Sequence, residues 1–349
     1  MKLLIQKLHH TKQQIITYLK RRPRELFDYY QAWRNRATVR EQGIMWTAIC
    51  LLLFLYVGVL VVVYVTHINP PHIPSAHIED EEASYRYLFE EIDLTARSVL
   101  VYDHSQDRIV FENNSTEIVG IASITKIMTA LVALAEGDMN MPIVITRDAL
   151  DMPGDHGLLM GDVWNLDDLI AFMMITSSND AAYAIAAGMY PDLDPMASRL
   201  RFIEAMNNSA RDRGLDDILF YNESGLDDEG NIQTFGSAEN VMRLAYEAIS
   251  TYPEIFEITT QRQEIFYSRG GFEHIAENTN RAIDRIPSYV FSKTGYTDGS
   301  GGSLVYIFER SPGDLVSVII LNSTFFGRFR DAEIIAHHVF HRLYNFDNE

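Results

Sequence analysis

A run of 23 residues without a charge, Ile44 to Thr66, divides this chain into parts that cannot share one solvent. It is long enough to cross about 30 Å of hydrocarbon as a helix. Trp46 and Tyr64, near its ends, are rings that favour the membrane interface. Residues 1–43 carry ten Lys or Arg against three acids, a net charge of +7, whereas the part after the run has 19 basic and 45 acidic residues, a net of −26. A basic flank on the N-terminal side places residues 1–43 in the cytoplasm and the remainder outside. The rival reading is a cleaved secretory signal, whose apolar region would be about 7–15 residues with a short lead and a small-x-small cleavage site. Here the lead and the run are both too long, and Thr66-His67-Ile68-Asn69-Pro70 offers no such site. The expectation is an uncleaved, single-pass anchor in the cell membrane at 44–66.

Several consequences follow for the outer part. So acidic a domain repels phosphate backbones, which argues against nucleic acid as a partner. The only cysteine, Cys50, lies within the uncharged run, so no disulfide and no cysteine catalyst is available outside. Residues 95–349 therefore have to stand on packing alone, and a stretch of about 250 residues suffices for one large core or two intimately packed lobes. Residues 67–94 begin rich in Pro, His and acids, the composition of an extended spacer. His67, His72 and His77 have no fold there to fix metal geometry. The tail at 1–43 fits either an amphipathic helix on the inner leaflet or a loose basic segment that sets topology.

Patterning gives a fold class. Ser98 to Tyr102, a polar turn, and Arg108 to Phe111 read as a strand pair. Ala122 to Ala135 is apolar nearly all round, so it reads as a buried helix. Helical segments follow at about 166–176, 179–188, 195–213 and 237–250. The C-terminal third returns to strands at Tyr289 to Thr294, Ser303 to Arg310 and Leu315 to Asn322, with a turn through Ser311-Pro312-Gly313-Asp314. A last helix is expected from about Asp331 to Tyr344. Strands at both ends around a helical middle predict an α+β domain: an antiparallel sheet with flanking terminal helices and an inserted all-helical lobe.

Past Thr66 there are 17 arginines but only two lysines, Lys126 and Lys293. Both sit in short motifs: Ser123-Ile124-Thr125-Lys126 and Lys293-Thr294-Gly295, with Ser177-Ser178-Asn179 between them. Burial and nearby charge can neutralise an ammonium but not a guanidinium, so a proton-accepting base has to be lysine. Three residues apart on a helix, Ser123 and Lys126 share a face. Serine is a poor nucleophile without an adjacent base, and Lys126 supplies one if burial and Lys293 hold it neutral. In a loop between helices, Ser177 can relay a proton to a leaving amine, Ser178 adds a second hydroxyl to the cleft, and the Asn179 amide can hold a substrate carbonyl. Lys293 is expected to be a fixed cation for a substrate carboxylate, with Thr294 adding a hydrogen bond and Gly295 allowing close approach at a strand edge. No G-x-S-x-G or H-E-x-x-H competes. His337, His338 and His341 on the last helix are read as packed or solvated rather than as metal ligands.

S-x-x-K, S-x-N and K-T-G in that order resemble the signature of penicillin-recognising serine enzymes. From about residue 95 to 345 the chain resembles the serine-type D-alanyl-D-alanine carboxypeptidases, the low-molecular-mass penicillin-binding proteins, with their β-lactamase/transpeptidase-like fold. Asn222 through Ser224-Gly225-Leu226-Asp227 to Gly230, Asn278-Thr279-Asn280-Arg281 and Arg328-Phe329-Arg330-Asp331-Ala332 extend the likeness. The resemblance implies acyl-enzyme chemistry, without a cofactor, on peptidoglycan stem peptides ending in D-Ala-D-Ala, and acylation by β-lactam antibiotics. It also implies an oxyanion hole from the backbone N–H groups of Ser123 and Tyr296, and a substrate carboxylate held by Arg328. Departures are Ser178 where the family usually has Gly and Tyr296 where it often has His. Nor is there room before residue 349 for the family's extra C-terminal β-domain and membrane-binding tail, so anchoring falls to the N-terminal span. Three alternatives stand beside the carboxypeptidase. One is a D,D-endopeptidase on crosslinks. Another is a class A-like β-lactamase using Glu223 to activate water. The third is a penicillin-binding sensor without activity.

Overall fold

The computed structural model describes Thr38 and residues 92–345 apart from 155, 156 and 287. The expected span at 44–66, all of the tail before it except Thr38 and most of the spacer lie outside these residues. Among the described residues no helix is long and apolar enough to cross a membrane.

Strands β1 (Ser98–Asp103) and β2 (Arg108–Asn113) open the domain, with a short β3 at Val119–Gly120. A single 3-10 turn, Ala122–Thr125, leads into α1 (Lys126–Glu136). Then come β4 (Pro142–Val144), α2 (Arg147–Leu150), β5 (Val163–Asn165), α3 (Leu166–Thr176), α4 (Asn179–Gly188) and α5 (Pro195–Asp212). After β6 (Leu219–Phe220) and β7 (Thr234–Gly236) lie α6 (Ala238–Thr251), α7 (Pro253–Phe256) and a second 3-10 turn, Glu257–Thr260. The chain returns through β8 (Gln263–Tyr267), β9 (Glu273–Glu277), β10 (Tyr289–Thr297), β11 (Gly301–Ser311), β12 (Asp314–Ser323) and α8 (Gly327–Asn345).

The main sheet has the order β10-β11-β12-β1-β2, antiparallel throughout, so β12 from the C-terminal third joins β1 from the beginning. Period-two alternation puts Leu304, Tyr306 and Phe308 of β11 and Val316, Val318 and Ile320 of β12 on one face. There they pack under Phe329, Ala332, Ile335 and Val339 of α8. Val305, Ile307, Ile319 and Leu321 point the other way, into a larger core shared with α1, α3, α4 and α6. Buried on both faces, these strands have to be near-continuous apolar runs, which is how they read in the sequence. Asp331 ties the start of the domain to its end: its carboxylate accepts from the backbone N–H groups of Thr95 and Ala96 and from the Thr95 and Ser323 hydroxyls.

The α+β architecture with an inserted helical lobe is as expected, and α8 is the terminal helix that the described residues contain. Several details differ from the sequence reading. The helix expected from Ala122 begins as a 3-10 turn and becomes α-helical only at Lys126. The last helix starts at Gly327 rather than near Asp331, because the Thr324 hydroxyl accepts from the Gly327 N–H and caps it. The hairpin β8–β9 was not anticipated, although Ile265 pairs with Ile275 across a Gly270-Gly271 turn. In the sheet order β10 stands at the edge, and from it Lys293 reaches Ser177 at the end of α3. The motifs meet there.

Candidate active site

Two glycines from distant motifs shape the nucleophile turn. A Cβ on Gly295 would lie 2.9 Å from the Ile121 carbonyl oxygen and 3.1 Å from the Ser123 nitrogen. On Gly225, whose φ is +80°, a Cβ would lie 2.0 Å from the Ala122 carbonyl oxygen. Pressed between them, Ala122 takes a left-handed φ of 48°, a conformation that costs a non-glycine residue about 1–3 kcal/mol. The Thr125 hydroxyl donates to the Ala122 carbonyl at 2.7 Å and holds the turn. Gly295 therefore makes room for the chain's own backbone at Ser123 as well as for any ligand.

Lys126 is completely buried, and its Nζ lies 3.0 Å from Ser123 Oγ, 2.8 Å from Asn179 Oδ1 and 2.7 Å from the Ser224 carbonyl oxygen. The latter two only accept hydrogen bonds, and the Asn179 amide is oriented by its Nδ2 donating to the Pro153 carbonyl at 2.7 Å. A neutral amine has two N–H groups and one lone pair. With the hydrogens on Asn179 and Ser224, the lone pair faces Ser123. Burial lowers the Lys126 pKa to about 7, against an opposing pull from the charges of Glu223 and Asp180.

The Ser224 carbonyl is placed by Asn222. Its Oδ1 accepts from the N–H groups of Ser224 at 3.1 Å and Gly225 at 2.6 Å, and its Nδ2 donates to the Leu226 carbonyl at 2.8 Å. Glu223, which a β-lactamase mechanism would use as a base for water, is 1 % exposed and receives Arg199 at 3.0 and 3.1 Å. It is not among the residues lining the cleft.

Ser177 ends α3 with a left-handed φ of 60°, and its Oγ accepts from Lys293 Nζ at 2.7 Å. Ser178 does not add a hydroxyl to the cleft. It is fully buried as the N-cap of α4, where its Oγ accepts from the Ala181 N–H at 3.0 Å. A helix starting at Asn179 leaves unsatisfied N–H groups, and Ser178 meets one of them.

Lys293, 1 % exposed, also donates to the Thr294 carbonyl at 2.9 Å. Burial, then the charges of Lys126 and Arg328, push its pKa well below the ordinary lysine value. Packed beside two other cationic groups and away from water, Lys293 holds its proton less tightly than an exposed lysine does. Thr294 Oγ1 and Thr279 Oγ1 lie 2.6 Å apart. The Tyr296 hydroxyl donates to Asp298 at 3.0 Å and its ring meets Phe325 edge-on at 5.0 Å, so its side chain belongs to the rim. Arg328 donates to the Gly295 carbonyl and is nearly buried; burial, then the charge of Arg281, lower its pKa to about 10.

These groups surround an open cleft of 920 Å³. Ser123, Ser177, Asn179, Thr294, Gly295, Tyr296 and Arg328 line it, while Lys126 and Lys293 lie beneath and reach it through the two serine hydroxyls. The structure thus brings together Ser123, Lys126, Ser177, Asn179, Lys293, Thr294, Gly295, Tyr296 and Arg328, and leaves Ser178 and Glu223 outside the cleft. It adds Gly154, Ile275, Glu277, Thr279, Arg281 and Phe325 to the walls. Thr279 and Arg281 fall in a segment that the family likeness marked, but nothing in their spacing assigned them a role. Glu277 and Ile275 come from the unanticipated hairpin. Among the described residues no cluster of His, Cys, Asp or Glu is arranged to hold a metal ion.

Residues 86–324 match the D-alanyl-D-alanine carboxypeptidase family of peptidases. A D-alanyl-D-alanine endopeptidase of Haemophilus influenzae is 30 % identical over 236 residues, 66 % of this chain and 76 % of the relative. The D-alanyl-D-alanine carboxypeptidase DacF of Bacillus subtilis is 29 % identical over 213 residues, and the match spans 52 % of its length. Among solved structures, penicillin-binding protein D2 from Listeria monocytogenes in its cefotaxime-bound form aligns with a TM-score of 0.60 and 27 % identity, covering 72 % of this chain and 99 % of that one. A Streptomyces K15 DD-transpeptidase mutant aligns with a TM-score of 0.65 at 22 % identity, a likeness of fold.

Proposed function

This chain belongs to the D-alanyl-D-alanine carboxypeptidase family of serine peptidases, and we propose that it removes the terminal D-Ala from peptidoglycan stem peptides outside the cytoplasmic membrane. The observation that carries this reading is the buried Lys126 amine, whose Nζ lies 3.0 Å from Ser123 Oγ and is held by the Asn179 and Ser224 oxygens at 2.8 and 2.7 Å. The peptide lies along the outer side of β10. Ser123 Oγ attacks the carbonyl of the penultimate D-Ala and its proton passes to Lys126 Nζ. The backbone N–H groups of Ser123 and Tyr296 receive the oxyanion. The C–N bond then breaks, and the proton taken by Lys126 returns to the leaving amine, with Ser177 as the relay. Lys126, again neutral, takes a proton from the water that hydrolyses the ester. Hydrolysis regenerates the Ser123 hydroxyl and releases the shortened peptide. β-Lactams acylate the same oxygen.

A second reading, D,D-endopeptidase action on crosslinks, is favoured by the Haemophilus relative and by the openness of the 920 Å³ cleft, which leaves space for a second stem peptide in place of D-Ala. Mass spectrometry of products from a pentapeptide and from a crosslinked dimer separates the two. Free D-Ala from the pentapeptide, with the dimer intact, establishes the carboxypeptidase, and the reverse establishes the endopeptidase. Penicillin acylation without release of any product would leave only a sensor. Anchoring by residues 44–66, with 1–43 in the cytoplasm and 67–94 as spacer, is supported by the uncharged run and the charge division. Protease digestion of intact spheroplasts tests it: the catalytic domain is degraded and the tail is protected.

A further inference from the structure

The buried side chain of His274 presents both of its ring nitrogens to groups that accept hydrogen bonds. Nδ1 lies 3.0 Å from the Gly157 carbonyl oxygen and Nε2 lies 2.9 Å from Asp162 Oδ2, with both side chains almost wholly out of solvent. A carbonyl oxygen only accepts, so Nδ1 carries a hydrogen. Nε2 then faces the carboxylate lone pair to lone pair unless one more proton lies between them. An imidazole binds a proton more tightly than a carboxylate does, so the geometry describes an imidazolium–carboxylate pair. Asp162 Oδ1 accepts from the Val163 N–H at 3.0 Å, which fixes the carboxylate. The rings of Trp164 and Phe172, centred 4.7 and 6.4 Å from that of His274, and Phe266 opposite it in the hairpin enclose the pair. The other charged groups on these elements are engaged elsewhere. Glu264 accepts from the Ile265 N–H, Glu273 from the Tyr267 hydroxyl, Asp167 from the Asp168 N–H and Asp168 from Asn165 Nδ2. Arg269 donates to Asn165 and to the Asn140 carbonyl, and Glu277 lines the cleft.

Gly157 and Asp162 belong to the segment that leads into β5, whereas His274 is in β9. Hairpin β8–β9 is a two-stranded sheet of its own, and such a hairpin is marginal without outside support. Its turn is tied by the Arg269 N–H to the Val163 carbonyl at 2.8 Å, and the chain after β9 by the Thr279 N–H to the Ile175 carbonyl at 3.3 Å. Between these two points the polar tie is His274. Alternation along β9 sends His274 inward and Ile275 and Glu277 outward, where they form part of the cleft wall. His274 thus holds that wall from behind. We propose that His274 and Asp162 are positioning residues: the proton they share fixes the β9 wall of the cleft for the stem peptide, and its release as pH rises above neutral loosens that wall. The inference rests on the peptidase reading above. Loss of the proton leaves only the bond from Nδ1 to Gly157 and sets two acceptors face to face. The support given by the pair is therefore complete at low pH and lost as pH rises, the opposite sense from the free amine required at Lys126.

Asp162→Asn separates the proton from the contact. Its amide N–H can donate to a neutral Nε2 while its oxygen still accepts from Val163, so the tie closes without the extra proton. Full-length wild type, Asp162→Asn and His274→Phe are compared from pH 6 to 9.5 in two ways. Hydrogen exchange of β8 and β9 is measured, each rate divided by that of an unstructured peptide at the same pH. Steady-state release of D-Ala from a pentapeptide gives KM and kcat. A lost hydrogen bond to a charged group is worth about tenfold in an equilibrium constant. The wild-type hairpin should therefore exchange about tenfold faster at the top of the range than at the bottom, with KM rising in parallel and kcat following Lys126 alone. Asp162→Asn should show neither change, and His274→Phe should show fast exchange and a high KM at every pH. The assignment is overturned if Asp162→Asn follows wild type at every pH, if wild type does not change, or if exchange rises without KM. Wild type that releases no D-Ala at any pH would instead remove the peptidase reading. The ratio of wild-type to Asp162→Asn rates of acylation by benzylpenicillin, in which the Lys126 titration cancels, then takes the place of KM.

Discussion

Lys293 Nζ donates to Ser177 Oγ at 2.7 Å across 116 residues of sequence, joining the strand edge to the helical lobe at the floor of the cleft. Neither group has its present environment without the other. Ser177→Ala is expected to slow D-Ala release by about 10²–10⁴-fold, the range for a lost proton-transferring group. Lys293→Met should slow it similarly. The double variant should be little worse than either single one, because both changes break one relay. A double-mutant cycle on kcat measures this, and fully multiplicative losses would show that the two act separately.

Lys126→Arg keeps a positive charge but cannot release a proton in a protein. Acylation by a penicillin, followed by intact-mass analysis, should fall about 10²–10⁴-fold. Ser123→Ala should give no adduct at all. An adduct that persists in Ser123→Ala would mean that another nucleophile is acylated.

The pH dependence follows from the Lys126 pKa of about 7. Acylation needs the free amine, so the rate should fall about tenfold per pH unit below that value and level off above it. The shift has the opposite sign from that of a stabilising ion pair. Between about 7 and the ordinary 10.5 the unfolded chain binds a proton that the folded one does not, so this group's contribution to stability improves as pH rises through that window. A rate that is flat from pH 5.5 to 8.5 would exclude Lys126 as the titrating base.

Ser178→Ala tests whether that hydroxyl serves the helix and not the cleft. Loss of an N-cap costs about 1 kcal/mol, which is roughly 2–4 °C in Tm for a domain of this size. Calorimetry should show that drop while acylation kinetics stay within about twofold, since the hydroxyl faces the Ala181 N–H and not the cleft.

Glu223→Gln breaks a buried pair with Arg199, whose guanidinium also lies 4.2 Å from the Tyr183 ring centre. Removing one partner of such a pair costs about 3–5 kcal/mol, so Tm should fall. The penicilloyl ester on Ser123, expected to persist for minutes or longer, should be lost no more slowly than in wild type. Rapid penicillin turnover that this variant abolishes would establish the β-lactamase reading.

The chemistry was legible in the sequence because it depends on residue types that have no substitutes. Only lysine among the cations can serve as a neutral amine at ordinary pH, so two lysines among 17 arginines stand out without a structure. The main sheet was legible too, since strands buried on both faces have to be continuous apolar runs. Tertiary structure decided what depends on distance between segments far apart in the chain. Ser178 and Ser177 are adjacent and identical in type; only the turn from α3 to α4 sends one hydroxyl into the cleft and the other to a helix N–H. How tightly Lys293 holds its proton is decided by Lys126 and Arg328, packed beside it away from water. Arg281 is one arginine among many until Phe325, from 44 residues later, is folded beneath it. Side-chain identity sets what a group can do. The charges and hydrogen bonds that packing places around it set which of those things it does, because proton affinity and hydrogen-bond direction are properties of surroundings that no single segment contains.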